Sequence, residues 1–154
     1  MKTRSTGWAV LVGGSVAATL DIAFTISFGA YHGSSPVRVL QSVSSGLLGS
    51  SAYSGGMAAA AAGLFLHFAM SVLWAAMFVM ASRRVPAFHR RPVLAGMAFG
   101  VVVFLAMRLV VLPLSAFPHP VRFPPLATAL DLLSHMFFFG VPIALAAGKV
   151  PERR

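Results

Sequence analysis

Five ionisable side chains interrupt long apolar stretches of this sequence, where charged and titratable groups are costly and mark a function by default. They are Asp21, His67, Arg108, Asp131 and His135. Asp131 and His135 stand four residues apart and therefore share one helix face, an arrangement typical of proton relays. Arg108 needs a carboxylate partner in lipid, and Asp131 is favoured over Asp21 because it lies nearer to Arg108 in depth. The residues thus predict one polar centre inside an apolar protein.

The same residues also fit a purely structural interpretation, which the sequence leaves open. An Arg–Asp pair can hold a bundle together, and a buried histidine is often satisfied by a backbone carbonyl. Two histidines on different helices also suit axial ligation of haem b. His67, His135 and Asp131 suit a divalent metal, although Arg108 would oppose a cation. We expect no cofactor and no metal.

Enzyme chemistry finds little support in the sequence. The chain has no cysteine, which excludes disulfides, thiolate metal sites and cysteine nucleophiles. It contains no His-Glu-x-x-His, no Gly-x-Ser-x-Gly and no P-loop motif, so the common zinc-protease, serine-hydrolase and nucleotide-binding patterns are missing. We expect a protein that is not an enzyme.

The elements that must position these groups are membrane-spanning helices. Of the 154 residues, 58% are hydrophobic and only 10% are charged, whereas about a quarter are charged in soluble domains. Four stretches reach the roughly 20 apolar residues that a bilayer requires, and they cover about 8–31, 57–81, 92–115 and 126–148. The predicted fold class is all-α, a single membrane domain over residues 1–154. The first stretch is longer than a signal-peptide core, so we expect it to be retained.

All five ionisable groups are predicted to occupy one layer of this bundle. Counted from the helix ends expected to face outward, they lie about 8–15 Å below the outer surface. His67 and His135 come at nearly the same depth, so we expect their rings to approach each other across the interior and to titrate together.

Residues 32–56 connect the first two spans and are rich in serine and glycine. Ser35 and Pro36 are typical of an N-cap followed by the first helical turn. Apolar residues then recur at helical spacing, at Val37, Leu40, Val43 and Leu47. This pattern predicts a short amphipathic helix over 36–48, lying on the membrane surface or dipping into it as a re-entrant segment.

Two further patterns concern packing and the outer surface. Gly96 and Gly100 form a GxxxG motif, which permits close helix contact in lipid, and we expect that contact within the bundle rather than at a dimer face. Five prolines from Pro113 to Pro125 predict a stiff, non-helical loop above the polar centre, which acts either as a gate or simply as a turn.

The basic residues predict the orientation, because positively charged segments flank spans on the cytoplasmic side. Nine of the 12 Lys and Arg residues would face the cytoplasm, namely Lys2, Arg4, Arg83, Arg84, Arg90, Arg91, Lys149, Arg153 and Arg154. Both termini are therefore expected in the cytoplasm of a bacterium, in a multi-pass inner-membrane protein. The net charge of +9 then reflects topology, and we expect no nucleic-acid partner. The lipid bilayer is the expected partner, with a homo-oligomer or a partner membrane protein left open.

A series of motifs extends over about residues 60–145. In order, they are Gly63-x3-His67, Pro86, Gly96-x3-Gly100, Pro113, the Pro-rich loop and Asp131-x3-His135. This order and spacing resembles the YagU-type small bacterial inner-membrane proteins, and the resemblance implies an association with acid tolerance. That family has a histidine five residues before the span-ending proline, where this chain has Arg108. It also has a longer outer segment after the first span.

Two classes of function follow from these observations. In the first, the protein is a proton- or ion-responsive transport or stress component, and the five ionisable groups form its working centre. In the second, it is a non-catalytic accessory protein whose polar groups only hold the bundle and whose surface binds a partner protein or lipid. The first class predicts that His67→Ala or Asp131→Asn abolishes a pH response while the protein stays folded. The second predicts that folded protein is lost in proportion to activity.

Overall fold

A computed structural model describes residues 5–150, and the regular structure in this range is entirely helical. Four helices are long and apolar enough to cross a membrane, namely α1 (Thr6–Tyr31), α3 (Gly56–Ser82), α5 (Pro92–Leu114) and α6 (Pro125–Ala147). Two shorter helices, α2 (Pro36–Leu48) and α4 (Pro86–Arg90), lie in the connections, and a 3₁₀ helix (Gly49–Ser54) follows α2. The predicted all-α, multi-pass membrane fold is confirmed, with span boundaries within two residues of those expected.

Small residues bring the spanning helices together, as expected where lipid removes most of the hydrophobic drive for association. A Cβ atom placed on Gly13 of α1 would lie 2.9 Å from the Cβ of Ala146 in α6. One placed on Gly14 would lie 2.8 Å from the Cα of Val72 in α3. α1 therefore packs between α3 and α6. Alanines line much of the interior, including Ala9, Ala17, Ala75, Ala144 and Ala147.

The GxxxG motif joins α5 to α6, as predicted for packing within the bundle. A Cβ atom on Gly96 would come within 2.7 Å of the Cα of Val141, and one on Gly100 within 2.6 Å of the Cα of Met136. Gly140 lies against the backbone of Gly96 from the other side. Three glycines therefore let the two backbones touch directly, which fixes α6 between α1 and α5.

Helix α2 covers the predicted residues, but its polar side faces the protein. Ser35 caps the helix by accepting a hydrogen bond from the Arg38 N–H at 3.2 Å. Three polar residues of α2 are buried against the bundle, namely Gln41, Ser44 and Ser45. Leu47, by contrast, is 72% exposed. The backbone of Leu40 lies against Gly63, about 10 Å along α3 from its first residue. α2 thus packs beside the first turns of α3 with small polar side chains inward.

Each of the last two spans contains a π-helical segment shortly before a proline. In α5 the segment is Met107–Val111, two residues before Pro113. In α6 it is His135–Gly140, two residues before Pro142. A proline lacks the N–H that would continue the α-helical hydrogen bonds and clashes with the carbonyl four residues earlier, and a wider turn relieves both problems. Arg108 and His135 therefore lie in local π geometry.

The two ends of the bundle differ chemically. At one end, Arg83 Nη1 donates to Thr6 Oγ1 at 3.1 Å, and the Lys149 ammonium lies 5.6 Å from the centre of the Trp8 ring. The start of α1 and the ends of α3 and α6 thus meet there, and we call it the basic end. Lys2, Arg4, Arg153 and Arg154, which contribute to the predicted orientation, lie outside the described residues. At the opposite end, the Ala116 N–H donates to the Gly46 carbonyl at 2.8 Å, which joins the Pro-rich loop to α2.

Candidate functional site: a polar centre shared by four helices

Arg108 and Asp131 form an ion pair between α5 and α6. Both Nε and Nη2 of Arg108 donate to Oδ2 of Asp131, at 3.0 and 2.5 Å. The third nitrogen, Nη1, donates to the Arg122 carbonyl at 3.0 Å, so the guanidinium also holds the Pro-rich loop. The predicted pairing of Arg108 with Asp131 rather than Asp21 is confirmed. It satisfies both charges where water is scarce.

His135 uses the other oxygen of the same carboxylate. Its Nδ1 lies 3.2 Å from Oδ1 of Asp131 and 2.9 Å from the Asp131 backbone carbonyl. Because a carbonyl oxygen only accepts, Nδ1 carries the hydrogen, and Nε2 is the position that takes up a further proton. The rings of Phe104 and Phe139 lie 5.7 and 5.9 Å from the imidazole, centre to centre. Asp131 is therefore shared by a permanent cation and a titratable ring.

A second cluster lies around Asp21 of α1. The Ser134 hydroxyl of α6 donates to Oδ1 of Asp21 at 2.7 Å. His67 of α3 places Nε2 at 3.0 Å from the Ala18 carbonyl and at 4.0 Å from Oδ2 of Asp21. By the same argument as for His135, Nε2 of His67 carries hydrogen and Nδ1 is open to protonation. Asp21 is thus buried between a hydroxyl donor and an imidazole.

The two clusters are adjacent, and His67 and His135 lie within electrostatic range of each other. Ser134 and His135 are consecutive residues, so the backbone of α6 joins the Asp21 cluster to the Asp131 cluster. The ring contacts of His135 within residues 5–150 are with Phe104 and Phe139, and those of His67 are with Phe68. The predicted approach of the two imidazoles is therefore found at electrostatic range, without direct contact between the rings. The side chain of Asp21 occupies the interior beside His67, because Ser134 draws the carboxylate toward α6.

The formal charges of the centre do not cancel while both imidazoles are neutral. Two carboxylates face one guanidinium, which leaves one negative charge among apolar helices. A proton taken up by one of the two imidazoles would cancel that charge, which is costly at low dielectric.

Arg108 connects the polar centre to an open recess at the end of the bundle opposite the basic end. The recess has a volume of about 490 Å³ and is lined by Arg108, Leu112 and five residues of the Pro-rich loop, namely Phe117, His119, Pro120, Val121 and Arg122. The Arg108 guanidinium carbon also lies 5.7 Å from the ring centres of Phe104 and Phe123, within the range of cation–π attraction. The loop is non-helical over residues 116–124, as its prolines predict, and it lies over the Arg108 end of the centre.

The described residues hold no group of three or more His, Cys, Asp or Glu side chains arranged to bind a metal ion. The set weighed from the sequence, His67, His135 and Asp131, is divided between the two clusters. Arg108 also occupies one oxygen of Asp131. The positions of these side chains therefore give no support to a three-ligand metal site.

Ser134 belongs to the polar centre but was not predicted from the sequence. It is 2% exposed and is the hydrogen-bond donor to Asp21. Its only signal is its position beside His135. The π-helical segments were also unexpected, although Pro113 and Pro142 mark where they end. π segments inside helices are frequent at functional sites.

Comparison with protein-family models, with curated proteins and with solved structures gives no match to this chain. The resemblance to YagU-type proteins is therefore untested and stays a prediction. Function must be argued from the polar centre itself.

Proposed function

We propose that this protein is a proton-responsive transport or stress component of a bacterial inner membrane, acting without enzyme chemistry and with its basic end in the cytoplasm. Membership of the YagU-type group belongs to the same proposal. One observation carries it: Asp131 accepts from both Arg108 and His135, and Arg108 also lines an open recess at the end of the bundle opposite the basic end. A titratable ring thus competes with a permanent cation for one carboxylate.

Protonation of His135 changes this competition. Imidazole is the side chain that ordinarily titrates between pH 5 and 8. A proton taken up at Nε2 makes the ring a cation, which binds Oδ1 of Asp131 more strongly through Nδ1. The carboxylate then faces two cations, and its hold on Arg108 weakens. Since Arg108 also donates to the Arg122 carbonyl, acidity is transmitted to the outer loop.

The Asp21 cluster supplies the second protonation site. His67 lies on α3 and Asp21 on α1, so a proton gained by the ring strengthens the contact between these helices. Ser134 ties Asp21 to α6. The charged and titratable groups facing the centre are therefore Asp21 from α1, His67 from α3, Arg108 from α5, and Asp131 and His135 from α6. His119 and Arg122 approach it from the loop.

The experiment measures the mobility of the outer loop as a function of pH. The chain has no native cysteine, so Val121→Cys accepts a single nitroxide spin label in the full-length protein in micelles. We expect the label to become more mobile between about pH 7.5 and about pH 5, where imidazoles titrate. In His135→Gln the mobility should not change with pH, and in Asp131→Asn the loop should be mobile at both values.

Two histidine variants serve as controls. His32→Gln removes an exposed imidazole that hydrogen-bonds the Phe28 carbonyl of its own helix. His119→Gln removes the titratable ring of the recess. Both should keep the full response. A label whose mobility does not depend on pH, or a response that survives His135→Gln and disappears in His119→Gln, contradicts the proposal.

The accessory function has one observation in its favour, which is that each charged group of the centre has a polar partner within the chain. A purely structural role requires that every buried charged group have such a partner. In that case His135→Gln and Asp131→Asn lower the yield of folded protein, and loop mobility is independent of pH. Size-exclusion chromatography of the same samples separates the two functions.

A further inference from the structure

A groove runs along the outside of the bundle where α1 and α6 meet near the basic end. Its volume is about 320 Å³. The close contact of Gly13 with Ala146 forms its floor. Val12, Val16 and Leu145 form its sides, each between 38% and 47% exposed. These residues belong to helices apolar enough to span a membrane, so the groove faces the acyl region of the bilayer.

The mouth of the groove carries a different chemistry. Lys149 and Trp8 line it there, with the ammonium 5.6 Å from the centre of the indole ring. Tryptophan and lysine at the end of a span are typical of the headgroup level. Arg84, Arg90 and Arg91 are exposed on the loop that leaves the same end of the bundle. One continuous site therefore presents a cation at headgroup level and an apolar channel below it.

We propose that this groove is a binding site for an anionic phospholipid. The phosphate lies at Lys149, and one acyl chain lies between Val12 and Leu145. The distribution of charge carries the assignment, because the apolar part lies at chain depth and the ammonium stands at the mouth. A cation at this position favours an anionic over a zwitterionic headgroup about fivefold. This inference concerns the basic end and does not depend on the polar centre.

Tryptophan fluorescence tests the site in the full-length protein. The chain has two tryptophans, so Trp74→Phe leaves Trp8, at the mouth of the groove, as the reporter. Phospholipids brominated on the acyl chain quench a tryptophan that they contact. In this background we expect brominated phosphatidylglycerol to displace unlabelled lipid about five times more effectively than brominated phosphatidylcholine.

Three variants separate the contribution of the lipid headgroup to binding from that of the acyl chain. Lys149→Gln should reduce the preference to below about twofold while quenching by phosphatidylcholine persists. Arg84→Gln removes an exposed cation that is not in the groove and should keep the preference. Val16→Phe fills the groove and should reduce quenching by both lipids. Circular dichroism checks that each variant is folded.

Three results overturn the proposal. The first is equal affinity for the two lipids in the Trp74→Phe protein. The second is a preference that survives Lys149→Gln. The third is absence of quenching by either lipid, which means that something else, such as a second copy of the chain, covers the groove.

Discussion

Two basic side chains share the carboxylate of Asp131, and each of them contacts a different oxygen atom. Oδ2 receives both donors of Arg108, and Oδ1 faces His135. Removing one partner from such a group leaves a charge without compensation among apolar helices. Removing both members of the pair leaves no charge to solvate, and replacement by apolar residues is often nearly neutral. Single substitutions in this cluster are therefore more damaging than paired ones.

Arg108→Met should lower the free energy of unfolding by about 3 kcal/mol. This is the lower end of the range for breaking a buried ion pair, because the two side chains are 22% and 30% exposed. The double variant Arg108→Met with Asp131→Leu should recover at least half of that loss. Unfolding by sodium dodecyl sulfate in mixed micelles, followed by circular dichroism, measures both. A single variant within about 0.5 kcal/mol of the parent protein would mean that the pair behaves like an exposed one.

The pairing of Arg108 was predictable because the spans offer only two carboxylates, and an unpaired guanidinium is not tolerated there. The role of Ser134 was not predictable in the same way. A serine in a membrane helix usually bonds its own backbone, as Ser71 does with the His67 carbonyl. In the sequence, only its position beside His135 distinguishes Ser134 from such residues. The position of Asp21 within electrostatic range of both His67 and His135 depends on how the helices are rotated, which only three-dimensional packing decides.

Among the helices, the contact between α5 and α6 depends on glycine more than any other. The atoms that a Cβ on Gly100 would meet belong to the backbone of His135 and Met136, which cannot turn aside as a flexible side chain can. This contact lies beside the π segment that carries His135. Gly100 therefore controls both the distance between the α5 and α6 backbones and the position of the His135 ring.

Gly100→Ala should destabilise the bundle by about 2 kcal/mol, within the range for overpacking a close contact. It should also weaken the pH response of the spin label at position 121, because α6 must move away. Gly7→Ala is the matched control, since a Cβ on Gly7 of α1 would have no neighbour within 4 Å. Thermal unfolding of the two purified variants gives the comparison. Equal melting temperatures would mean that α5 and α6 are free to separate.

The spans and α2 were predictable because length, apolar composition and cap residues are local properties of the sequence. The direction in which α2 faces was not. Serine and glutamine on an amphipathic helix are expected to face water. Here Gln41 donates to the Gly56 carbonyl at 3.0 Å, and Ser44 donates to the carbonyl of Gln41. Small polar residues that satisfy each other can pack closely against α3, while Leu47 is left outside.

For the molecule as a whole, the arrangement of the basic end makes the topology testable. The start of α1 and the ends of α3 and α6 lie together. All three must therefore lie on the same side of the membrane. Single-cysteine variants Ala87→Cys and His119→Cys probe the two ends. We expect a membrane-impermeant maleimide to label position 119 in intact cells and position 87 only after permeabilisation. Labelling of position 87 in intact cells, with none at position 119, would invert the orientation and place the recess in the cytoplasm.

The two π segments also determine how the chain should tolerate changes in length. In a continuous α-helix each residue turns the chain by about 100°, and a π turn takes up one residue more than an α turn. Deleting one residue between 107 and 111, or between 135 and 140, would therefore restore regular hydrogen bonding and leave the later side chains close to their present direction. Inserting one residue there would instead rotate every later side chain by about 100°. The chain is therefore expected to tolerate one deletion in each segment better than one insertion.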